Sequence, residues 1–201
     1  MKRKAEINIV VGINGTGKTT FLKDSVLKHS KRTLVLTPYM EEWENLTIVS
    51  TAKEIYNFTG NSRIICTTEN IKSVLELIQK NFHGGTLIMD DTRHYLDAHT
   101  IKPIEQICIQ RRQRGMDVYV VGHSLMQIPP KFFDFASGLI LFYSEQSRNR
   151  ELSAEVNKKI EAAQERIKKQ FDAGNPYHKE IIILDMQIRA QYVAEQRKNN
   201  R

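Results

Sequence analysis

The chain has 201 residues, 40% hydrophobic and 26% charged. That is ordinary globular usage for a single domain with its own core, and it excludes a disordered, collagenous or coiled-coil chain. The formal net charge is +7, which permits a polyanionic partner without requiring one.

Residues 6–11 form a short apolar run rich in β-branched side chains, which predicts a buried strand. Residues 18–29 follow as a helix, with Phe21, Leu22 and Val26 at compatible spacing. Strands are expected over 33–37 and 63–67. Between them, residues 40–62 are not diagnostic. A helix opens at Thr68 or Glu69 and sets Ile71, Val74, Leu75 and Ile78 on one face, until Gly84 and Gly85 break it. Residues 86–90 are the next strand, and 100–114 a helix ended by Gly115. Strands over 117–122 and 139–143 flank Ile128-Pro129-Pro130. A long helix over 151–171 and a last strand over 180–185 complete the walk. Strands that are apolar throughout and alternate with helices imply an α/β fold, a mostly parallel sheet with helices on both faces. No repeat or linker divides the chain, so residues 1–201 read as one domain with a basic tail.

Cys66 and Cys108 each lie in an apolar stretch, which excludes a disulfide framework or a Cys-rich zinc site and suits a reducing, cytoplasmic setting. No apolar run reaches the roughly 18 residues that span a bilayer. The basic start at Met1 is not followed by a signal-peptide pattern, so no membrane partner is expected.

Residues 12–19 read G-I-N-G-T-G-K-T, the phosphate-binding P-loop pattern G-x-x-x-x-G-K-[ST], between a predicted strand and a predicted helix. A chain of this length carries the pattern by chance on the order of 1% of the time. Glycines let successive backbone N–H groups turn toward phosphate oxygens, and the helix N-terminus adds a favourable dipole. Gly12, Asn14, Gly15, Thr16, Gly17, Lys18, Thr19 and Thr20 are therefore the expected cradle for ATP. Lys18 is placed for the β and γ phosphates, and the Thr19 hydroxyl for Mg²⁺.

Such a site needs an acidic group at the end of a buried strand. Leu87-Ile88-Met89 leads into Asp90, the expected Mg²⁺ residue, and Asp91, the candidate for polarising an attacking water. The strand over 117–122 ends in His123 and Ser124, a polar pair able to sense a γ-phosphate. His94 and His99 bring no second ligand cluster, so no transition-metal site is expected.

Arg111 to Pro130 narrows the reading. A helix, then R-x-R-G-x-D, a strand, a polar pair, a short gap, I-P and a final apolar strand resembles the FtsK–HerA family of P-loop motor ATPases, and most closely its small viral genome-packaging members. The resemblance implies the additional-strand P-loop NTPase fold, with one strand between the P-loop strand and the Asp90 strand. It also implies a homo-oligomeric ring, ATP-driven movement of double-stranded DNA, and a capsid or portal protein as a further partner. The setting would be the host cytoplasm or the virion. An arginine from one subunit is expected to reach the next subunit's γ-phosphate. Arg111, Arg112, Arg114, Arg148 and Arg150 are available, with Arg148 and Arg150 favoured. The chain departs from the family in carrying His123 where glutamine is usual and Asp91 where glutamate is common.

Lys158, Lys159, Lys168, Lys169 and the tail at 197–201 are candidate DNA contacts, although the interleaved Glu155, Glu161 and Glu165 make a solvated, charge-paired surface the simpler reading of the helix face. Two other readings remain open on the residues alone. One is a nucleoside or polynucleotide kinase; the other is a nucleotide-binding switch or adaptor that hydrolyses slowly.

Overall fold

Among the described residues seven strands run parallel and an eighth returns against them. They are β1 (Ile7–Val11), β2 (Arg32–Thr37), β3 (Thr47–Ile48), β4 (Gly60–Ile65), β5 (Gly85–Met89), β6 (Met116–Gly122), β7 (Gly138–Leu141) and β8 (Glu180–Ile183). Their order across the sheet is β3-β4-β2-β5-β6-β1-β7-β8, with only β8 antiparallel, against β7. The strand β6 lies between β1 and β5, as expected. The structure, a computed structural model, describes residues 5–97, 99–145 and 152–184.

Among the described residues six α-helices link the strands: α1 (Lys18–Phe21), α2 (Ala52–Asn57), α3 (Ile71–Asn81), α4 (Ile101–Arg114), α5 (Pro130–Phe135) and α6 (Ala154–Asp172). The helix predicted over 18–29 is more varied than a plain α-helix. After α1 it widens into a π turn at Leu22–Val26 and tightens into a 3₁₀ turn at Leu27–His29. The i→i+5 bond from the Leu27 N–H to the Leu22 carbonyl lets Leu22, Val26 and Leu27 all turn into the sheet.

The period-2 alternation of each strand explains the two cores. Ile9, Leu34, Leu87, Val118 and Leu139 point to one face; Val10, Val35, Ile88, Val121 and Ile140 point to the other. The first face is covered by side chains of α2 through α6, among them Ile55, Leu75, Ile104, Phe132 and Ile160. The second is covered by the α1 segment and Trp43. Chain direction accounts for this. The connection β1→β2 crosses the sheet one way, whereas β3→β4, β4→β5, β5→β6 and β6→β7 cross the other way. A common handedness of crossover then puts α1 alone on its face.

Several boundaries differ from the sequence reading for local reasons. β4 begins at Gly60 because Arg32 to Thr37 pair in register with Gly60 to Ile65. In the undiagnosed stretch, α2 is opened by a capping box in which Thr51 accepts from the Glu54 N–H and Glu54 accepts from the Thr51 N–H. The interval between β6 and β7 contains α5, which buries Phe132 and Phe133. Gly115 ends α4 at φ 63°, a left-handed conformation that favours glycine. Both cysteines are buried free thiols, pushed up to about 12 by burial. No described helix is long and apolar enough to cross a membrane.

Candidate functional site

The C-terminal ends of β1, β5 and β6 converge on one cavity of about 320 Å³. Its lining includes Asn14, Gly15, Lys18, Thr19, Asp90, Asp91 and His123. The fold thus brings the loop after β1, the two aspartates after β5 and the histidine after β6 into one place. This is the general position of ligand sites in open α/β sheets.

The loop is pinned from both sides. The Gly12 N–H donates to the Gly122 carbonyl at 3.4 Å, and the Ile13 N–H to the Tyr143 carbonyl at 2.9 Å. The Thr16 hydroxyl donates to the Ile13 carbonyl at 2.8 Å. Gly17 takes φ 89° at the start of α1, a conformation that strains any side chain. Lys18 Nζ donates to the carbonyls of Gly12 at 2.6 Å and Ile13 at 2.9 Å, so the ammonium is held within the loop it serves. Burial lowers the Lys18 pKa, while Asp90 and Asp91 pull it back up. A polyphosphate in the cavity would meet a partly desolvated cation whose present partners are neutral carbonyls.

Asp90 continues the face of Thr86 and Ile88 toward α1. It is 4% exposed, and its Oδ2 accepts from Trp43 Nε1 at 2.7 Å. Burial raises its pKa to about 6 against that hydrogen bond, with Glu42 and Asp91 adding to the rise. Trp43 is itself 1% exposed, and Lys23 lies over its ring while donating to the Glu42 carbonyl at 2.6 Å. A buried carboxylate lifted in this way gains from a cation. Among the described residues no group of three or more His, Cys, Asp or Glu side chains forms a metal cluster. The Thr19 hydroxyl and the Asp90 carboxylate are oxygen donors at hand, and Glu42 and Asp91 line the same cavity. Such a short set of hard oxygens fits Mg²⁺, which commonly completes its shell with phosphate oxygens and water.

Asp91 differs in backbone and company. Its φ of 45° makes it the sole non-glycine residue with positive φ among the described residues. Asp tolerates this region better than most residues, and the Asp91 carboxylate meets other partners than Asp90 does. Tyr39 OH donates to Asp91 Oδ2 at 2.6 Å, and His94 Nε2 lies 3.2 Å from the same oxygen. Oδ1 has Arg93 Nε at 3.0 Å and His123 Nε2 at 3.2 Å. Neither contact is aligned as a hydrogen bond, so Oδ1 is a buried acceptor without a partner of good geometry. Burial lowers the His123 pKa, helped by Lys18 and opposed by Asp91, which favours the neutral imidazole. The next turn is tied to β6 by the Thr92 hydroxyl, which donates to the Val121 carbonyl at 2.9 Å.

The arginines sort by position. Arg111 is buried and donates to the Cys108 carbonyl at 2.8 Å. Arg114 donates to Gln110 and to the Phe82 carbonyl. Arg112 and Arg114 line a separate cleft of about 800 Å³, with Lys31, Gly85 and Asp117, at the opposite end of the strands. Arg148 and Arg150 lie outside the described residues. On α6, Lys159 pairs with Glu155 at 2.6 Å, while Lys158, Lys168 and Lys169 are exposed.

Sequence reasoning missed Tyr39, Trp43 and Arg93. The first two come from the loop after β2, where no periodicity marks them. One signal was present: Trp43 is the only tryptophan of the chain and sits among Glu41, Glu42 and Glu44.

No protein-family model matches the chain, and no curated protein matches it. Solved structures do. The genome-packaging NTPase B204 of Sulfolobus turreted icosahedral virus 2, in complex with sulfate, superposes with a TM-score of 0.66 at 15% identity, over 91% of this chain and 93% of that one. Its complex with AMP gives 0.65 at 17% identity, over 90% and 93%. B204 from Sulfolobus turreted icosahedral virus, a DNA-packaging ATPase, gives 0.62 at 16%, over 92% and 94%. The chain has the P-loop NTPase fold. The resemblance drawn from Arg111 to Pro130 therefore holds at the level of fold, in an eight-stranded, mostly parallel sheet.

Proposed function

We propose that this chain is a Mg²⁺-dependent ATPase, a single motor domain that works in a homo-oligomeric ring to move double-stranded DNA during packaging of a viral or mobile-element genome. The observation that carries the reading is the meeting of Lys18, Thr19, Asp90, Asp91 and His123 around one cavity, on three adjacent strands. The likeness in fold to B204 supports the packaging role at the level of analogy.

In this reading the P-loop amides bind the phosphates and Lys18 leaves its two carbonyls for the β and γ oxygens. Thr19 and Asp90 hold Mg²⁺, and Trp43 fixes the Asp90 rotamer by its 2.7 Å hydrogen bond. Held there, Mg²⁺ would supply charge compensation for the phosphate oxygens. Asp91 Oδ1, buried and without an aligned partner, takes the proton of the attacking water. The water oxygen bonds to the γ-phosphorus as the bond to the bridging oxygen breaks, and ADP leaves. Neutral His123 donates its Nε2–H to the γ-phosphate or to Asp91. Its partner in that choice is the presence or absence of the phosphate, which gives it the character of a sensor. Arg148 or Arg150 serves the neighbouring subunit, and a capsid or portal protein anchors the ring in the host cytoplasm or on the virion.

Steady-state ATP hydrolysis with Mg²⁺, with and without long duplex DNA, tests this reading beside Lys18→Ala. Hydrolysis that rises on adding DNA and vanishes in the variant is expected. A rate indifferent to DNA would contradict the motor, and transfer of phosphate to a nucleoside or DNA end would replace it with a kinase.

A further inference from the structure

A second, smaller cavity adjoins the P-loop on the far side of Lys18 from the aspartates. It encloses about 170 Å³ between Gly17, Thr20, Phe21, Asp24, Tyr177 and Lys179. Tyr177 reaches it from the loop between α6 and β8. A Cβ placed on Gly17 would stand 2.9 Å from Tyr177 Cδ1, so the ring lies directly on the last loop glycine. Tyr177 is nonetheless 64% exposed. Lys179 Nζ stands 5.3 Å from the Phe21 ring centre, and Phe21 packs edge-on against Phe142 at 6.1 Å. The start of this loop is held by the stack of Phe171 on Tyr143, at 4.1 Å between centres.

Direction along the loop decides what belongs there. A P-loop cradles α- and β-phosphates with backbone amides, and its lysine reaches toward β and γ. On the nucleotide-binding reading above, the γ end would lie in the cavity of Lys18 and Asp91. The chain of phosphates therefore runs the other way, past Gly17 and Thr20, and the nucleoside emerges over Tyr177.

We propose that Tyr177 is the platform on which the nucleobase stacks, and that the base is held by its face and not read at its edge. The inference rests on the nucleotide-binding reading above and names the part of the ligand that reading leaves unplaced. The side chains at hand support face recognition. The Asp24 carboxylate is engaged by Lys28 at 2.7 Å. Neither it nor the exposed Thr20 hydroxyl is a buried, oriented donor or acceptor of the kind that discriminates one base edge from another. Stacking accepts any base, because every base has a π face, and the Lys179 ammonium beside the platform adds attraction for an electron-rich ring. The site then takes purine nucleoside triphosphates with little preference between ATP and GTP.

Equilibrium titration of the full chain with Mg-ATP, Mg-GTP and inorganic tripolyphosphate tests this in wild type, Tyr177→Ala and Tyr177→Phe. Loss of stacking is expected to weaken ATP and GTP alike by about tenfold in Tyr177→Ala. Tripolyphosphate, which has no base, should bind that variant as it binds wild type, and Tyr177→Phe should stay within about twofold of wild type. Unchanged ATP affinity in Tyr177→Ala would overturn the platform. An equal loss for tripolyphosphate would also overturn it, because the ring would then act through the shape of the loop. A wild-type preference for ATP of about tenfold or more would overturn recognition by face alone. Wild type that binds tripolyphosphate but neither nucleotide overturns the platform alone, whereas wild type that binds none of the three overturns the nucleotide reading itself.

Discussion

Asp90 and Asp91 are consecutive, yet their side chains enter different surroundings. Asp90 points into the α1 face, against a buried tryptophan, with burial raising its pKa to about 6. Asp91 turns through a left-handed backbone into a polar ring of Tyr39, Arg93, His94 and His123. The first offers a single donor, to one oxygen; the second is crowded with donors, yet one oxygen stays unaligned. The contrast teaches how one strand end could supply two roles. A carboxylate with one oxygen fixed by a hydrogen bond would suit a metal, and a carboxylate with a buried, unaligned acceptor would suit a water.

The largest effect should come from removing the unaligned acceptor. Asp91→Asn is expected to lower turnover by about 10²- to 10³-fold, with Mg-ATP affinity within a few-fold of wild type. Rapid-quench kinetics and equilibrium binding measure the two separately. Equal losses in both would merge the two carboxylates into one function.

On the Asp90 side, Trp43→Phe removes the hydrogen bond to the carboxylate and leaves a void beside it. Denaturant unfolding should show a loss on the order of 3 kcal/mol. In an Asp90→Asn background the same change should cost less, and a double-mutant cycle would report the difference.

Asp90→Asn alone sharpens the contrast through pH. The folded-state pKa of Asp90 lies above its unfolded value, so its contribution to stability is complete below the unfolded value and is lost as pH rises through about 6. The nucleotide-free variant should therefore match wild type near pH 4 and exceed it at pH 7 by on the order of 2 kcal/mol. It should hydrolyse ATP poorly at every pH. A stability difference that is flat with pH would mean that burial does not lift this group.

The smallest change is Tyr39→Phe. Losing the donor to Asp91 Oδ2 is worth about 1 kcal/mol, which converts to about fivefold in turnover, with affinity unchanged. A change confined to affinity would place Tyr39 with the nucleotide and not with Asp91.

The sequence disclosed the parts of this site that are local. The P-loop is contiguous, so pattern and chemistry lie in eight consecutive residues. Asp90 and Asp91 are legible because an apolar strand must end where its polar residues begin. His123 is legible for the same reason at the end of β6. Trp43 and Tyr39 were not legible, because they reach the aspartates only through the pairing of β2 with β5, where Leu36 sits opposite Met89. No local signal encodes that neighbour. The uneven cover of the sheet was hidden for a similar reason. Apolar strands announce two buried faces, but the number of helices on each follows from strand order. The capping box at Thr51 and Glu54 was available and would have located α2.

The division of labour between the two aspartates is tested most directly by Mg-ATP turnover and affinity in Asp91→Asn set beside Asp90→Asn. Asp91→Asn should bind Mg-ATP as wild type does and hold it unhydrolysed, while Asp90→Asn should lose the dependence of binding on Mg²⁺. Equal behaviour of the two variants, in both binding and turnover, would contradict it.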